Sequence, residues 1–531
     1  MQLNRFERPE MLLNLKSGPF DVLIIGGGAT GLGCALDAAT RGYRTALVEA
    51  HDFAKATSSR STKLVHGGVR YLENFDFGLV AEALEERAIM AANAPHIVHD
   101  LKFVVPRYQW WEGPFYGIGL KLYDALAGKR NLGRSHSLSR EETVQAIRGV
   151  QEDGLLGGIE YHDAQFDDAR MAVTLAKTAA AAGAAVVNYA RVTELIRHEG
   201  HTEGAVVCDE ESGELIRVSA SVVINATGVF ADQVRTMDGM DHAGIEVEPA
   251  RGAHLVFDRS FLPGNEAIMV PHTDDGRVLF VIPWHDRALV GTTDVETKEL
   301  VIEPRATEEE IDFILRNAAR YLSCAPQRGD ILSVFAGLRP LVRPKGSEHG
   351  SKKVSREHVV SVSSSGMVTI LGGKWTTYRR MAQDTVDMAA RVGGLDPHEC
   401  RSRSVRMHGF VADSKLEAGL ASSRALYGSD ARHLASIEST LPDLARALHP
   451  RLQLTGSEVL FAATHEMART LEDVLARRCR ALFLDARAAI EVAPAVAALL
   501  GLELQWSPER TQREIDAFVR LAREYLPTGE A

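Results

Sequence analysis

The chain has 531 residues, 45% hydrophobic and 25% charged, with a net charge of −11. That balance excludes disordered, collagen-like and disulfide-scaffold classes, the length calls for two or more lobes, and the acidic excess argues against a broad nucleic-acid surface. The charge is uneven: residues 401–531 hold as many acidic as basic residues, nearly all the basic ones Arg, so the whole −11 lies in residues 1–400. No apolar run reaches the roughly 18 residues that a spanning helix needs. The start, with Glu7 and Glu10, lacks the long apolar stretch of a secretory signal. Cys34, Cys208, Cys324, Cys400 and Cys479 stand far apart with no CxxC, which fits a reducing compartment and offers no metal framework.

In chain order, DVLII at 21–25 reads as a buried parallel strand. GGGATG follows and opens an Ala-rich helix that ends at Gly42, and TALVEA at 45–50 is the next strand. This is a βαβ unit. Residues 79–94 predict an exposed helix stopped by Pro95, and 169–182 a second helix turning at Gly183. Strands follow in AAVVNYA, GAVVCDE and VSASVVINATG, with ESGE turning between the last two. Alternating apolar residues over 245–300 predict an antiparallel sheet, hence a second lobe. Thr307 and Glu310 form a capping box for a helix at 308–322. HVVSVSS and GMVTILGG make a hairpin, and 411–525 reads as all-helical. GGLDPHEC near residue 400 supplies the boundary before that tail.

The chemical signals sit on this frame. Gly26 allows the tight turn, Gly28 lets backbone approach a pyrophosphate, and Gly31 lets helix pack on strand. The helix start offers N–H groups and a positive dipole end to phosphates. Glu49 ends the second strand, placed to accept the adenosine ribose hydroxyls. Such an acid suits NAD or FAD equally. TSSRSTKLVHGGVRYLE at 57–73 favours FAD, because a polar, Gly-containing segment there can return across the pyrophosphate; Ser58, Ser59, Lys63, His66 and Gly67 are its candidates. Ala226-Thr227-Gly228 at a strand end, and the later turn with Gly373, Lys374 and Thr376, supply the further contacts of a long cofactor.

Taken together, DVLIIGGGATGLGCALDAATRGYRTALVE, TSSRSTKLVHGGVRYLE, VINATGVFAD, VGTTD, GLRPLV and LGGKWTTYR closely resemble the FAD-dependent, respiratory glycerol-3-phosphate dehydrogenases, and THEMARTLEDVLARR resembles that family's helical C-terminal domain. The resemblance runs over about residues 18–525. It implies a mixed α/β fold: a Rossmann-like FAD lobe of the glutathione-reductase and D-amino-acid-oxidase type, an antiparallel substrate lobe and a helical cap. Interleaved within 18–400, the FAD lobe draws mainly on 18–75, 185–232 and 331–385 and the substrate lobe on 76–184 and 233–330, while 401–531 forms the helical domain. It adds Ala29, Thr30, Leu64, Gly68, Val192, Gly337 and Trp375 to the cofactor positions.

The implied reaction is oxidation of sn-glycerol 3-phosphate to dihydroxyacetone phosphate by FAD, with membrane quinone as acceptor and O₂ (an oxidase) as the alternative. A dianionic substrate needs cations and a base. Arg339 and Arg356 are candidate phosphate and alkoxide clamps; Arg70 and Tyr71 follow the flavin loop; His254 is the candidate base; Lys374 would hold charge on reduced flavin. Residues 107–123 hold six aromatics, with Lys121, Lys129 and Arg130 close by. This suits either a membrane anchor near the quinone or internal packing. Arg477, Arg478 and Arg480 suit either anionic lipid or a neutralised helix C-terminus. Expected, then, are a cytoplasmic protein peripherally attached to the membrane, compatible with a homodimer, and no nucleic-acid partner.

Overall fold

The computed structural model describes residues 6–68, 76–239, 244–344, 358–412 and 423–528. Arg70, Tyr71 and Arg356 lie outside them.

The first lobe grows from the strand Phe20–Ile25, whose apolar side chains are buried on both faces, as in a sheet covered by helices on each side. It pairs in parallel with Thr45–Val48 and with Leu215–Asn225. Ala185–Val187 extends the sheet beyond Thr45–Val48, and Val368–Gly372 beyond Leu215–Asn225. His358–Val362 closes that edge antiparallel, the predicted hairpin. Ala190–His198 and His201–Asp209 form an antiparallel extension onto Leu215–Asn225. The helix Ala29–Arg41 ends at Gly42, φ 100°, a left-handed cap that only glycine adopts cheaply. It packs in one core with Asp168–Ala181 and with Tyr378–Val392.

The second sheet carries ten strands among the described residues. Toward one end of it Ile245–Asp258 pairs antiparallel with Ser333–Pro344 on one side and Arg287–Gly291 on the other. Leu64–Val65 and Ser333–Pro344 belong to this second sheet, and Asp168–Ala181 to the core of the first. Glu308–Ala319 carries the Thr307–Glu310 capping box as expected.

The helix Phe77–Asn93 is less exposed than its Glu-rich sequence predicts. Glu86 and Arg87 are buried in ion pairs with Arg379 (2.5 Å) and Asp163 (2.8 Å). The C-terminal region is helical but not wholly so, since Ala447–His449 and Leu452–Thr455 form a small hairpin. Its helices Ala486–Glu503 and Pro508–Arg523 share one hydrophobic core with the second sheet's Val256, Ile282 and Phe335. Arg477 and Arg478 form the last turn of the helix Asp473–Arg478, and Arg480 donates to the Ala476 carbonyl at its end (3.0 Å). All three are buried: Arg477 and Arg478 pair with Asp52, and Arg480 with Asp168 and the Ser59 carbonyl.

Candidate active site

A cleft of about 440 Å³ lies across the carboxyl ends of the parallel strands, where doubly wound sheets bind ligands. Its floor is the GxGxxG turn. Gly26 has φ +113°, and a Cβ there would stand 2.7 Å from the Ala226 carbonyl. Gly28 is the helix N-cap and has no side chain with which to satisfy the first N–H groups. Gly31 lies behind the cleft, where the helix crosses the Gly26 carbonyl so closely that a Cβ would come to 1.9 Å. Ala29 and Thr30 complete the cradle.

Glu49 enters from the next strand. Its two carboxylate oxygens accept from the backbone N–H groups of Gly27 (2.6 Å) and His51 (2.8 Å), which fix its direction. Burial raises its pKa against those two bonds. Ser58 reaches back over the helix start, and its Oγ accepts from Ala29 N–H at 2.9 Å. The Trp375 indole N–H donates to the Ser58 carbonyl at 2.8 Å, so the 57–59 and 373–376 turns meet as one wall. Thr376 ties the same wall to the backbone of His66. Val192, Ala226, Thr227, Gly228, Gly373 and Lys374 line the remainder. His51, Lys55, Arg191, Gln233 and Met237 also line it, and were missed. Only the position of His51, two residues beyond Glu49, was a signal for any of them.

These residues fit a dinucleotide. A pyrophosphate has a glycine cradle that side chains would fill, and a ribose has an oriented carboxylate.

Some predicted cofactor positions are not among the residues lining this cleft, Lys63 first among them. Its ammonium is fully buried away from the cleft, 2.7 Å from Asp168 and 2.8 Å from the Ser59 carbonyl, ringed by Trp284, Phe335 and Phe483 at 5.1–5.5 Å. Burial pulls this amine down to about 7, with Asp168 opposing. The backbone turns it there, since Lys63 has φ +64°. Ser59 is buried beside it, and Leu64 pairs into the second sheet. The Gly67 N–H donates to the Tyr123 hydroxyl at 2.8 Å, Gly68 continues that loop with φ +78°, and Gly337 is pressed against Arg60.

The second sheet borders the cleft through Pro340, and the Thr57 hydroxyl donates to the Leu338 carbonyl at 2.6 Å. On the pair Ile245–Asp258 and Ser333–Pro344, His254 stands opposite Phe335, Gly252 opposite Gly337 and Ala250 opposite Arg339. Residues two apart share a face. The glycine pair is therefore a shelf between an imidazole and a guanidinium. Arg339 lies over Gly252, where a Cβ would stand 2.4 Å from its Nη2. It donates to Asp294 (2.9 Å), Thr292 Oγ1 (3.1 Å) and the Thr293 carbonyl (2.9 Å). His254 is buried, stacked on Phe335 with ring centroids 4.8 Å apart, its Nε2 2.9 Å from Thr62 Oγ1. Burial, and then Lys63 and Arg339, hold its pKa well below the usual range. The imidazole is therefore neutral at physiological pH, a state that can accept a proton. Chemically, the shelf offers a proton acceptor at one end and an anion clamp at the other, beside a dinucleotide cleft.

Residues 21–379 match the family described as FAD dependent oxidoreductase, and 365–511 the C-terminal domain of alpha-glycerophosphate oxidase. The chain is 41% identical to the mitochondrial glycerol-3-phosphate dehydrogenase of Rattus norvegicus over 97% of its own length and 74% of that protein's. It is 39% identical to the mitochondrial enzyme of Arabidopsis thaliana over 96% of its length and 86% of that protein's. Among solved structures, glycerol-3-phosphate dehydrogenase from Bacillus halodurans complexed with FAD superposes with a TM-score of 0.80 at 29% identity, covering 99% of this chain and 98% of that one. L-alpha-glycerophosphate oxidase from Mycoplasma pneumoniae shares the fold over 72% of this chain and 97% of that one, with a TM-score of 0.57 at 18% identity.

Proposed function

Because the chain belongs to the FAD-dependent glycerol-3-phosphate dehydrogenase family, we propose that it oxidises sn-glycerol 3-phosphate to dihydroxyacetone phosphate and passes the electrons to a membrane quinone. The observation that carries this reading is the shelf: His254 and Arg339 flank a glycine pair on adjacent strands at the border of the cofactor cleft.

Bound FAD supplies the two-electron acceptor for the alcohol's hydride. Gly26, Gly28, Ala29 and Thr30 would hold its pyrophosphate, Glu49 would accept from its ribose, and the Ser58–Trp375 wall would support it. The chain's own chemistry is the rest. His254, kept neutral, takes the proton of the C2 hydroxyl as the carbonyl forms. Arg339, held in place by Asp294, Thr292 and the Thr293 carbonyl, presents a guanidinium to substrate oxygens. Lys374 adds positive charge on the cleft side, and Arg70, Tyr71 and Arg356 complete the substrate set. The protein carries its negative charge in the same 400 residues that bind an anion, so the pocket is a local cationic exception.

The quinone and membrane parts of the proposal rest on the helix Glu112–Ala127 and the turn before it. Trp110 is 79% exposed, Phe115 52% and Ile118 72%, a contiguous apolar surface with the exposed Lys121 and Arg130 close by. No helix among the described residues is long and apolar enough to cross a membrane, so contact here is peripheral, with aromatics at headgroup depth. Tyr123 of this helix receives the Gly67 N–H, which ties the docking surface to the loop that follows the cleft wall.

The test is spectroscopic. Anaerobic sn-glycerol 3-phosphate is expected to bleach the flavin absorbance of the purified protein, and a ubiquinone analogue to restore it faster than O₂ does. No bleaching overturns the substrate. Faster recovery with O₂, accompanied by peroxide, makes the protein an oxidase. Changing Trp110, Trp111 and Phe115 to Ser is expected to release the folded, yellow protein from vesicles of mixed neutral and anionic lipid. If that variant still pellets with them, the apolar surface is not the anchor.

A further inference from the structure

Thr62 has no role in the site as read from the sequence, yet the fold fixes it with unusual redundancy. Its two neighbours are anchored to one fully buried carboxylate. Asp168 Oδ2 accepts from the Ser61 backbone N–H (3.0 Å), the Ser61 hydroxyl (2.7 Å) and the Lys63 ammonium (2.7 Å). Arg480, 3.2 Å from the other oxygen, holds the carboxylate from the C-terminal domain. Between these anchors the chain takes a left-handed step at Lys63, φ +64°. For a side chain with a Cβ that conformation is uncommon and persists where the surroundings over-determine it. One product of this arrangement is the position of Thr62 Oγ1, 2.9 Å from His254 Nε2.

The imidazole itself is held in plane. Phe335 stacks on one face at an interplanar angle of 14°, and the absent side chain of Gly291 leaves room for Cδ2, which a Cβ there would approach to 2.3 Å. Its Nδ1 is buried and has no hydrogen-bond partner among the described residues. That asymmetry selects a tautomer. An N–H at Nδ1 would be a buried, unsatisfied donor, which costs about 1–3 kcal/mol. A lone pair there is the more tolerable orphan.

We infer that Thr62 is a positioning residue for the reaction: its hydroxyl oxygen accepts the Nε2–H of His254, which fixes that tautomer and the orientation of the ring. The inference rests on His254 being the base. The charged groups facing the imidazole, Lys63 and Arg339, are cations that favour its neutral form. Behind them stand Asp168 and Asp294, each paired to its own cation.

The experiment is a double-mutant cycle in the FAD-loaded enzyme with sn-glycerol 3-phosphate. Thr62→Val keeps the side-chain shape and removes the acceptor. It is expected to lower kcat on the order of 10- to 100-fold, the scale of a misplaced catalytic group, with KM nearly unchanged and the flavin spectrum intact. Thr62→Ser is expected to recover most of the rate. In a His254→Gln background, Thr62→Val is expected to cost nothing further, because the two act as one unit. Should Thr62→Val fail to hold flavin, Thr62→Ala takes its place in the cycle. Inactive His254→Gln together with full-rate Thr62→Val overturns the positioning role and leaves the base intact. Active His254→Gln overturns the base. In that case the ¹⁵N spectrum of the imidazole decides the inference: a proton on Nε2 that is lost or shared with Nδ1 in Thr62→Val supports the tautomer lock, and an unchanged spectrum overturns it.

Discussion

Gly31→Val protein is expected to purify colourless. A Cβ at position 31 would sit 1.9 Å from the Gly26 carbonyl oxygen and 3.0 Å from its carbon. Both are backbone atoms of the turn that forms the cleft floor, so no side chain can move aside to relieve the clash. The helix Ala29–Arg41 must retreat from the strand end, and its first N–H groups leave the position that a pyrophosphate occupies. Hydrogen bonds to charged groups are each worth about 1.5–3 kcal/mol. Losing two of them weakens cofactor binding on the order of a hundredfold or more. The ratio of flavin to protein absorbance reads the outcome, and titrating apoprotein with FAD by flavin fluorescence gives its size. Gly78→Ala is the matched control, since nothing lies within 4 Å of its added Cβ; it is expected to stay yellow. A Gly31→Val protein with a full complement of flavin would show that the cradle lies elsewhere.

What could be read from the sequence was what is local. The βαβ unit announces itself through a short apolar strand, three glycines and an acid at the next strand's end, all within 30 residues of chain. The Thr307–Glu310 capping box and the 358–372 hairpin are equally local. Signals that depend on a distant partner were invisible or misread. Ser333–Pro344 carries the glycine and arginine of the site, and the next described element, the 358–372 hairpin, belongs to the first sheet. Only the antiparallel register of Ser333–Pro344 with Ile245–Asp258 assigns it to the second sheet. Lys63 lies inside a flavin-loop motif and was read as a cofactor contact. Its ammonium is buried on Asp168, more than a hundred residues on, a partner that no local pattern names. The pairing of His254 with Thr62, 192 positions apart, has no sequence signature at all. The burial of the three arginines at 477–480 was not legible because, beside the nearby Glu466, Glu472 and Asp473, they pair with Asp52, Asp167 and Asp168, all more than 300 residues earlier.

Those arginines set the largest stability effect expected here. Asp52 is fully buried and accepts from Arg477 Nε (2.5 Å), from Arg478 Nη1 (2.7 Å) and Nη2 (2.8 Å), and from Asn188 (3.3 Å). Asp52→Ala takes the two-pronged partner from Arg478, which keeps only Glu466 at 3.8 Å, while Arg477 keeps Glu472 and Asp473. Breaking a buried pair in this way costs about 3–5 kcal/mol, far more than the pair's net worth relative to apolar packing. The melting temperature is expected to fall by several degrees. The loss also reaches the cofactor, because Asp52 belongs to the segment between Glu49 and Ser58, whose His51, Ala54 and Lys55 line the cleft. Asp52→Ala is therefore expected to release FAD faster than wild type.

Acid separates this electrostatic account from a packing one. Burial alone would raise the Asp52 pKa, but Arg478 and Arg477 overcome it and hold the carboxylate well below its ordinary range. A depressed folded-state pKa means that the contribution is fully present above the unfolded value of about 3.9 and drains away as pH falls through the folded one. Glu472, drawn down to about 2 by Arg477 and Lys55 against its own burial, loses its contribution over the same range. The stability gap between wild type and Asp52→Ala should thus be constant from neutrality down to about pH 4 and narrow below it. Denaturant unfolding of both proteins across that range measures the gap directly. A gap that holds its size down to pH 2, or one below about 1 kcal/mol at pH 7, would mean that this carboxylate does not hold the C-terminal domain to the cofactor loop.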